Sequence, residues 1–293
     1  MRVGLFGTGH WARTVHGPGL ASHPGVELVG VWGRRPDQAD GAAAALGTRA
    51  FRQVDDLIGA VDAVAVALPP DVQAGIAGAA ARAGRHLLLD KPLALDPAAA
   101  RDVADAAAGA GVSSVVFFTA RFSPGLAPFW EEVAAGGWAA ATVVQLASIF
   151  GAGSPYAGSA WRRERGALWD VGPHALAAVT AGLGPVQDVT AVPGPGDQVA
   201  VAARHAGSGT STLVLSLTAA PGARTQAVTF YGPAGPLAQP ADPTTASDAY
   251  RHAVDALLAA AAGGRPHPCD VRFGAEVVET LAAAEAALGS AGR

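Results

Sequence analysis

Lysine is almost missing from this chain. Lys and Arg together number 20 in 293 residues, and Lys91 is the sole lysine. Elsewhere arginine serves wherever a basic side chain is needed. Cysteine is equally scarce: Cys269 stands alone, which excludes an intramolecular disulfide and fits a reducing compartment. An excess of positive charge is absent too. A net charge of −4 and a pI near 6.0 exclude the basic face of a nucleic-acid binder, with Arg162, Arg163 and Arg165 as the one local cluster. The longest uncharged stretch, Val133 to Trp161, is broken by Gly136, Gly137, Gln145 and a Gly/Ser/Pro cluster, so it makes a poor membrane span. No charged segment followed by an apolar core marks a signal peptide. These absences predict a soluble cytoplasmic protein with neither nucleic acid nor membrane as partner.

Apolar material is plentiful, at 50% of residues and a mean hydropathy of +0.28, and the length suggests two domains. Strand-like runs at Arg2 to Phe6, Val26 to Trp32, Ala63 to Leu68, His86 to Leu89 and Val115 to Phe118 alternate with helical stretches. The helices are read at Pro36 to Leu46, Val72 to Ala83 and Pro97 to Ala108. This alternation predicts a doubly wound parallel α/β sheet over residues 1–120. The first strand runs into Gly7-Thr8-Gly9-His10-Trp11-Ala12, a G-x-G-x-x-A turn opening a helix that Pro18 is expected to kink or end. The first glycine permits the tight turn, the second admits a pyrophosphate to the backbone, and Ala12 lets helix and strand pack closely. At the tip of the second strand stands Gly33-Arg34-Arg35, with no carboxylate before Asp37. A small residue followed by arginines suits a 2′-phosphate, so NADP is the expected cofactor and NAD the alternative. Two solvated arginines opening a helix would read the same way. No metal site is expected.

Lys91 follows the buried run Leu87-Leu88-Leu89-Asp90 and precedes Pro92. Ligands of α/β sheets gather at such strand ends. An ammonium is a compact, rotatable donor with a movable pKa, whereas a guanidinium stays charged, so the one retained lysine is a candidate proton-handling group. A surface lysine that survived by chance is the plain alternative.

After Arg121 the alternation stops. A helix around Leu126 to Ala135 precedes strand-like segments at Ala141 to Ile149, Val186 to Val192, Gln198 to Arg204, Ser211 to Thr218 and Thr225 to Tyr231. Residues 121–293 are thus expected to form an α+β domain with a predominantly antiparallel, open-faced sheet. Gly232 to Thr245 reads as a connector, and helices near Ala246 to Ala262 and Val271 to Leu288 close the chain. The last helix, about 270–289, is a candidate to pack back on the first domain. The apolar strand bearing Val143, Leu146 and Ile149 suggests an exposed patch and a homodimer or homotetramer. Within this half, Asp170 and His174 lie four apart around Gly172 and Pro173, which puts carboxylate and imidazole within about one helical turn. A helix-capping aspartate and a buried, satisfied histidine would show the same spacing.

Together these motifs resemble the Gfo/Idh/MocA family of NAD(P)-dependent oxidoreductases. Gly7-x-Gly9-x-x-Ala12, Leu68-Pro69-Pro70, Asp90-Lys91-Pro92-Leu93, Arg121-Phe122-Ser123-Pro124, Trp161-Arg162 and Asp170-x-Gly172-x-His174 carry the resemblance, with the ending Ser290-Ala291-Gly292-Arg293. It implies that Lys91 hydrogen-bonds the reacting oxygen, that His174 transfers its proton, and that Asp170 positions the substrate or the histidine. Leu68, Pro69, Asp90, Lys91, Pro92, Arg121, Trp161 and Arg162 would join Gly7, Thr8, Gly9, His10, Trp11, Gly33, Arg34 and Arg35 around the cofactor. Asp90 stands in place of the usual glutamate, Gln73 where many members have histidine, and Ala177 where a second acidic residue often follows. The implied reaction is hydride transfer between the nicotinamide and a secondary alcohol or ketone of a sugar or cyclitol, a small-molecule substrate. Reduction of a C=N or C=C bond, and a non-catalytic dinucleotide sensor, are the alternatives.

Overall fold

The computed structural model describes residues 1–151 and 153–291, with side chains through residue 289; the ending at 290–293 lies outside what is described of side chains. The chain divides into two compact units, Met1–Pro124 with Thr244–Ala275, and Gly125–Pro243 with Glu276–Arg293.

In the first unit, strands β1 (Arg2–Phe6), β2 (Glu27–Trp32), β3 (Arg49–Phe51), β4 (Ala63–Val66), β5 (His86–Asp90) and β6 (Ser114–Phe117) form one sheet in the order β3-β2-β1-β4-β5-β6. Every pairing is parallel. β4 is buried along its whole length, as expected of a strand covered on both faces. The connecting helices are α1 (Gly17–Ala21), α2 (Pro36–Ala45), α3 (Val54–Gly59), α4 (Pro70–Arg82) and α5 (Pro97–Ala110). Strand order reverses between β1 and β4, and the loops leaving these strands meet at the switch point where dinucleotides bind in such sheets. The doubly wound sheet predicted from the alternation is therefore present. β3 and α3 add elements with little sequence signal: three residues beginning with Arg49, and six that include Asp55 and Asp56 side by side.

Pro18 neither ends nor breaks the first helix. The helix opens at His10, widens to a π turn over Ala12–His16 that Gly17 closes by donating to the Ala12 carbonyl, and continues as α1 to Ala21. The widened turn lies just ahead of the residue that lacks an N–H, where regular i to i−4 bonding fails.

The helix α9 (Ala246–Ala261), assigned from sequence to the second domain, clusters with the first. Its Tyr250 is fully buried, with its ring 4.2 Å from that of His16 and 5.0 Å from that of Phe117. The following segment is tied to β6: Val116 N–H donates to the Cys269 carbonyl (2.7 Å) and Val271 N–H to Ser114 Oγ (3.2 Å). These contacts span more than a hundred residues of sequence, which local patterning does not encode.

The second unit holds α6 (Ala127–Ala134), β7 (Ala140–Leu146), α7 (Ala160–Asp170), α8 (Gly172–Leu183), β8 (Val186–Pro193), β9 (Val199–His205), β10 (Thr210–Ser216), β11 (Thr225–Gly232) and β12 (Gly235–Ala238). Its sheet runs β12-β11-β7-β10-β9-β8, antiparallel except for the β7–β10 pair. β12 falls in the segment read as a connector. The unit also takes the end of α10 (Val271–Ala291) from Glu276 onward. Helix α8 packs on β7, β10 and β11, and Val143, Leu213 and Phe230 are buried. Val143 therefore belongs to the core rather than to the exposed patch proposed from sequence. The pleat puts it on the helix side and turns its neighbours Thr142 and Val144 the other way. The face away from α8 carries exposed Tyr231 and alternating exposed residues of β9 and β10. His205 is wholly buried in this sheet, bonded through Nδ1 to the Gly184 carbonyl (2.7 Å) and through Nε2 to Ser211 Oγ (2.9 Å). Burial lowers its pKa, so it is a neutral structural bridge. Among the described residues, no helix is long and apolar enough to cross a membrane.

Candidate active site

Two groups of predicted residues are each assembled within one unit. In the first unit, Gly7 adopts φ +134°, and a Cβ there would lie 2.3 Å from the Ala67 carbonyl oxygen. Only glycine permits β1 and the end of β4 to approach so closely. Its N–H donates to the Trp32 carbonyl at 2.8 Å, tying the turn to the tip of β2. Gly33 continues that tip, with the Thr8 methyl 2.6 Å from where its Cβ would be. Gly9 is exposed, and nothing lies within 4 Å of a Cβ built on it. The turn thus leaves open backbone at the N-terminal end of a helix, an arrangement suited to a pyrophosphate. These residues fit a dinucleotide. Arg34 and Arg35 follow Gly33 at the surface, and their side chains have no ion pair or hydrogen-bond partner among the described residues.

Two strands along, β5 ends in Asp90, and the chain turns through a cis Lys91–Pro92 bond into buried Leu93 and Ala94. Asp90 Oδ1 accepts the Lys91 N–H at 2.9 Å, so the carboxylate, predicted from sequence to face a cofactor, has a backbone task in this loop. Lys91 is half-buried. Leu68 and Pro69 lead into α4, where Pro70 takes the first helical position, as its missing N–H allows. Arg121, also half-buried, lies close enough to His267 and Cys269 to act on both. Burial first, and the Arg121 charge second, lower the His267 pKa to about 4. Burial raises the Cys269 thiol to about 11, which makes it an inert core residue.

In the second unit, α7 bends at Gly166 (φ +64°, ψ −163°), so Trp161-Arg162 and Ala167–Asp170 run in different directions. Asp170, 6% exposed, accepts from Arg162 Nε at 3.0 Å. That guanidinium also stacks over the Tyr156 and Trp161 rings, each 4.5 Å away. Trp161 and Arg162, proposed from sequence as cofactor contacts, are thus gathered around Asp170. α8 starts two residues beyond Asp170, and His174 lies half-buried in its first turn, its N–H donating to the Val171 carbonyl (3.1 Å). Asp170 is not the helix cap, since Val171 holds that position. Gly172 separates them because a Cβ there would meet Leu281 Cδ2 at 2.9 Å. Ala177 is buried on α8.

Sequence reasoning noted Gln73 only as a departure from a pattern. In the structure it is 1% exposed and hydrogen-bonded to the Lys91 loop on both sides of Asp90. Its position three residues after the paired prolines, in the first turn of α4, was the available signal.

Residues 1–118 match the family model described as the oxidoreductase family Gfo/Idh/MocA, NAD-binding Rossmann fold. UDP-N-acetylglucosamine 3-dehydrogenase of Acidithiobacillus ferrooxidans is 38% identical over 96 residues, 33% of this chain and 30% of that protein. Inositol 2-dehydrogenase of Rhizobium meliloti is 30% identical over 126 residues, 42% of this chain and 38% of that protein. Each match spans less than half of the curated relative. Over whole structures, GenD2 from gentamicin A biosynthesis, solved with NAD, superposes with a TM-score of 0.85 at 25% identity, covering 100% of this chain and 95% of that one. Residues 1–118 thus match the NAD-binding Rossmann domain of the Gfo/Idh/MocA oxidoreductase family.

Proposed function

We propose that the chain is an NADP-preferring oxidoreductase that interconverts a secondary alcohol and a ketone in a sugar or cyclitol. The observation that carries this reading is the open glycine turn at the sheet's switch point, in a domain matched by the NAD-binding family model, with the lone lysine immediately after β5 of the same sheet. Relatives named for dehydrogenating a nucleotide sugar and inositol support the substrate class. Thr8, Gly9, His10 and Trp11 would hold the pyrophosphate through backbone N–H groups, with Gly7, whose own N–H is taken by the Trp32 carbonyl, shaping the turn. Gly33 leaves room at the ribose, and Arg34 and Arg35 supply charge for a 2′-phosphate. Leu68, Pro69, Asp90, Pro92, Arg121, Trp161 and Arg162 complete the proposed cofactor set. The nicotinamide, when bound, gives or takes the hydride.

Reduction of a carbonyl leaves negative charge on its oxygen, and a positioned acid must neutralise it. Lys91 Nζ donates to that oxygen and stabilises the charge, a role that strengthens where water is excluded. The His174 imidazole delivers the proton that completes the alcohol, and it accepts one in the reverse direction. Asp170, held by Arg162, orients substrate or imidazole. We place the enzyme in the cytoplasm as a homodimer or homotetramer joined through the sheet face away from α8; light scattering at micromolar concentration giving the 29.0 kDa monomer would contradict that assembly. The activity is tested by following NADPH oxidation with a panel of keto-sugars and inososes, and NADP reduction with the matching alcohols. Turnover with at least one member is expected. Tight cofactor binding without turnover across the panel would favour a sensor and overturn the reading.

A further inference from the structure

β4 ends at Val66, opposite Leu89, whereas β5 continues one residue further to Asp90. The backbone groups of Asp90 that face β4 therefore have no strand to pair with, and buried peptide groups without partners are rare. The Gln73 side chain fills that place. Its Oε1 accepts the Asp90 N–H at 2.9 Å, and its Nε2 donates to the Asp90 carbonyl at 2.7 Å, so the amide pairs with Asp90 as a neighbouring strand would. The same Nε2 reaches the Pro92 carbonyl at 3.1 Å and the Leu93 carbonyl at 3.3 Å. With Asp90 Oδ1 holding the Lys91 N–H, the peptide group before the Lys91 Cα is fixed at both its carbonyl and its N–H, and the Pro92 and Leu93 carbonyls are held just beyond it.

We infer that Gln73 is the positioning residue for Lys91, the group that sets where the ammonium stands relative to the reacting oxygen. This inference rests on the proposed role of Lys91. A primary amide suits the task because it combines one acceptor with two N–H donors, all used here, and stays neutral at every working pH. An imidazole has one of each, and a thioether has no donor.

The solitary lysine allows a direct test. Reductive methylation with ¹³C-formaldehyde labels only Lys91 and the N-terminal amine, so the free protein gives one assignable lysine methyl signal. Gln73→Met is expected to move that signal toward the position of a free, mobile dimethyl-lysine. In unmodified protein the same change should lower kcat roughly tenfold or more, with NADPH affinity held within a few-fold. Gln73→His, which keeps one acceptor and one donor, is expected to fall between parent and Gln73→Met in both readouts, and it decides the matter if Gln73→Met does not fold. An unchanged Lys91 signal in the folded variants would overturn the inference, whether or not kcat or thermal stability falls. Failure of the underlying reading shows up separately, as parental turnover in Lys91→Met.

Discussion

Two loops leave the same edge of the parallel sheet and are built in opposite ways. In the loop after β2, Gly33-Arg34-Arg35, the arginines are exposed and their side chains have no partner among the described residues. The loop after β5, Asp90–Leu93, is gripped by a buried amide that forms four hydrogen bonds to its backbone. The contrast follows from what each is proposed to do. Recognition of a phosphate by charge tolerates movement, because long cationic side chains close onto their ligand as it binds. Proton transfer tolerates little, since a displacement of about 1 Å can cost on the order of 10² in rate. A rigid loop for chemistry and an open loop for selection make a consistent division of labour.

Breaking the rigid loop is expected to have the largest effect. Lys91→Met removes both charge and donor, and turnover is expected to fall by roughly 10² or more, the scale of one positioned acid-base group. Steady-state kinetics measures the loss, and fluorescence titration should show NADPH binding within a few-fold of the parent. Changing the open loop should do the reverse. Arg34→Asp is expected to weaken NADPH binding about tenfold, the worth of one charge-assisted hydrogen bond of about 1.5 kcal/mol, while NADH binding and turnover number stay near parental values. Equal affinities of the parent for the two cofactors would remove the basis for NADP preference.

The smallest effect sharpens the contrast by belonging to neither loop. His16, on the helix leaving the glycine turn, is fully buried, and neither of its nitrogens finds a hydrogen-bond partner among the described residues. Burial lowers its pKa to about 3. The unfolded chain takes up a proton at His16 near pH 6.5, whereas the folded chain resists until about pH 3. Stability is thus complete above pH 6.5 and is lost as pH falls below it, with a slope approaching about 1.4 kcal/mol per pH unit from this residue. Melting temperatures between pH 7 and 5 should fall more gently in His16→Leu than in the parent. Arg34→Asp should leave that acid limb unchanged.

Much of the first unit was legible because its strands are short apolar runs bounded by glycine and proline. β1 has the bounds the residues suggest, and β2, β4, β5 and β6 fall within a residue or two of theirs. Lys91 was conspicuous because no other lysine accompanied it. Gln73 was not, since it acts through backbone atoms 17 to 20 residues further along, which no side-chain pattern encodes. Nor was the return of residues 244–275 to the first unit, which depends on Tyr250 packing against His16 across more than two hundred positions. In the second unit, β12 is Gly235-Pro236-Leu237-Ala238, a composition that reads as a loop; it becomes a strand only by pairing with β11 at the sheet's edge. The bend at Gly166 hid α7 in the same way, by interrupting a helical pattern with a positive φ.

The most direct test of the division between the two loops is the pairing of turnover and NADPH affinity in Lys91→Arg. Arginine keeps the charge but gives up the compact, titratable donor. NADPH affinity within a few-fold of the parent, with turnover reduced by roughly 10² or more, is the expected result. Near-parental turnover would show that charge alone suffices at this position, and would contradict the assignment of proton handling to Lys91.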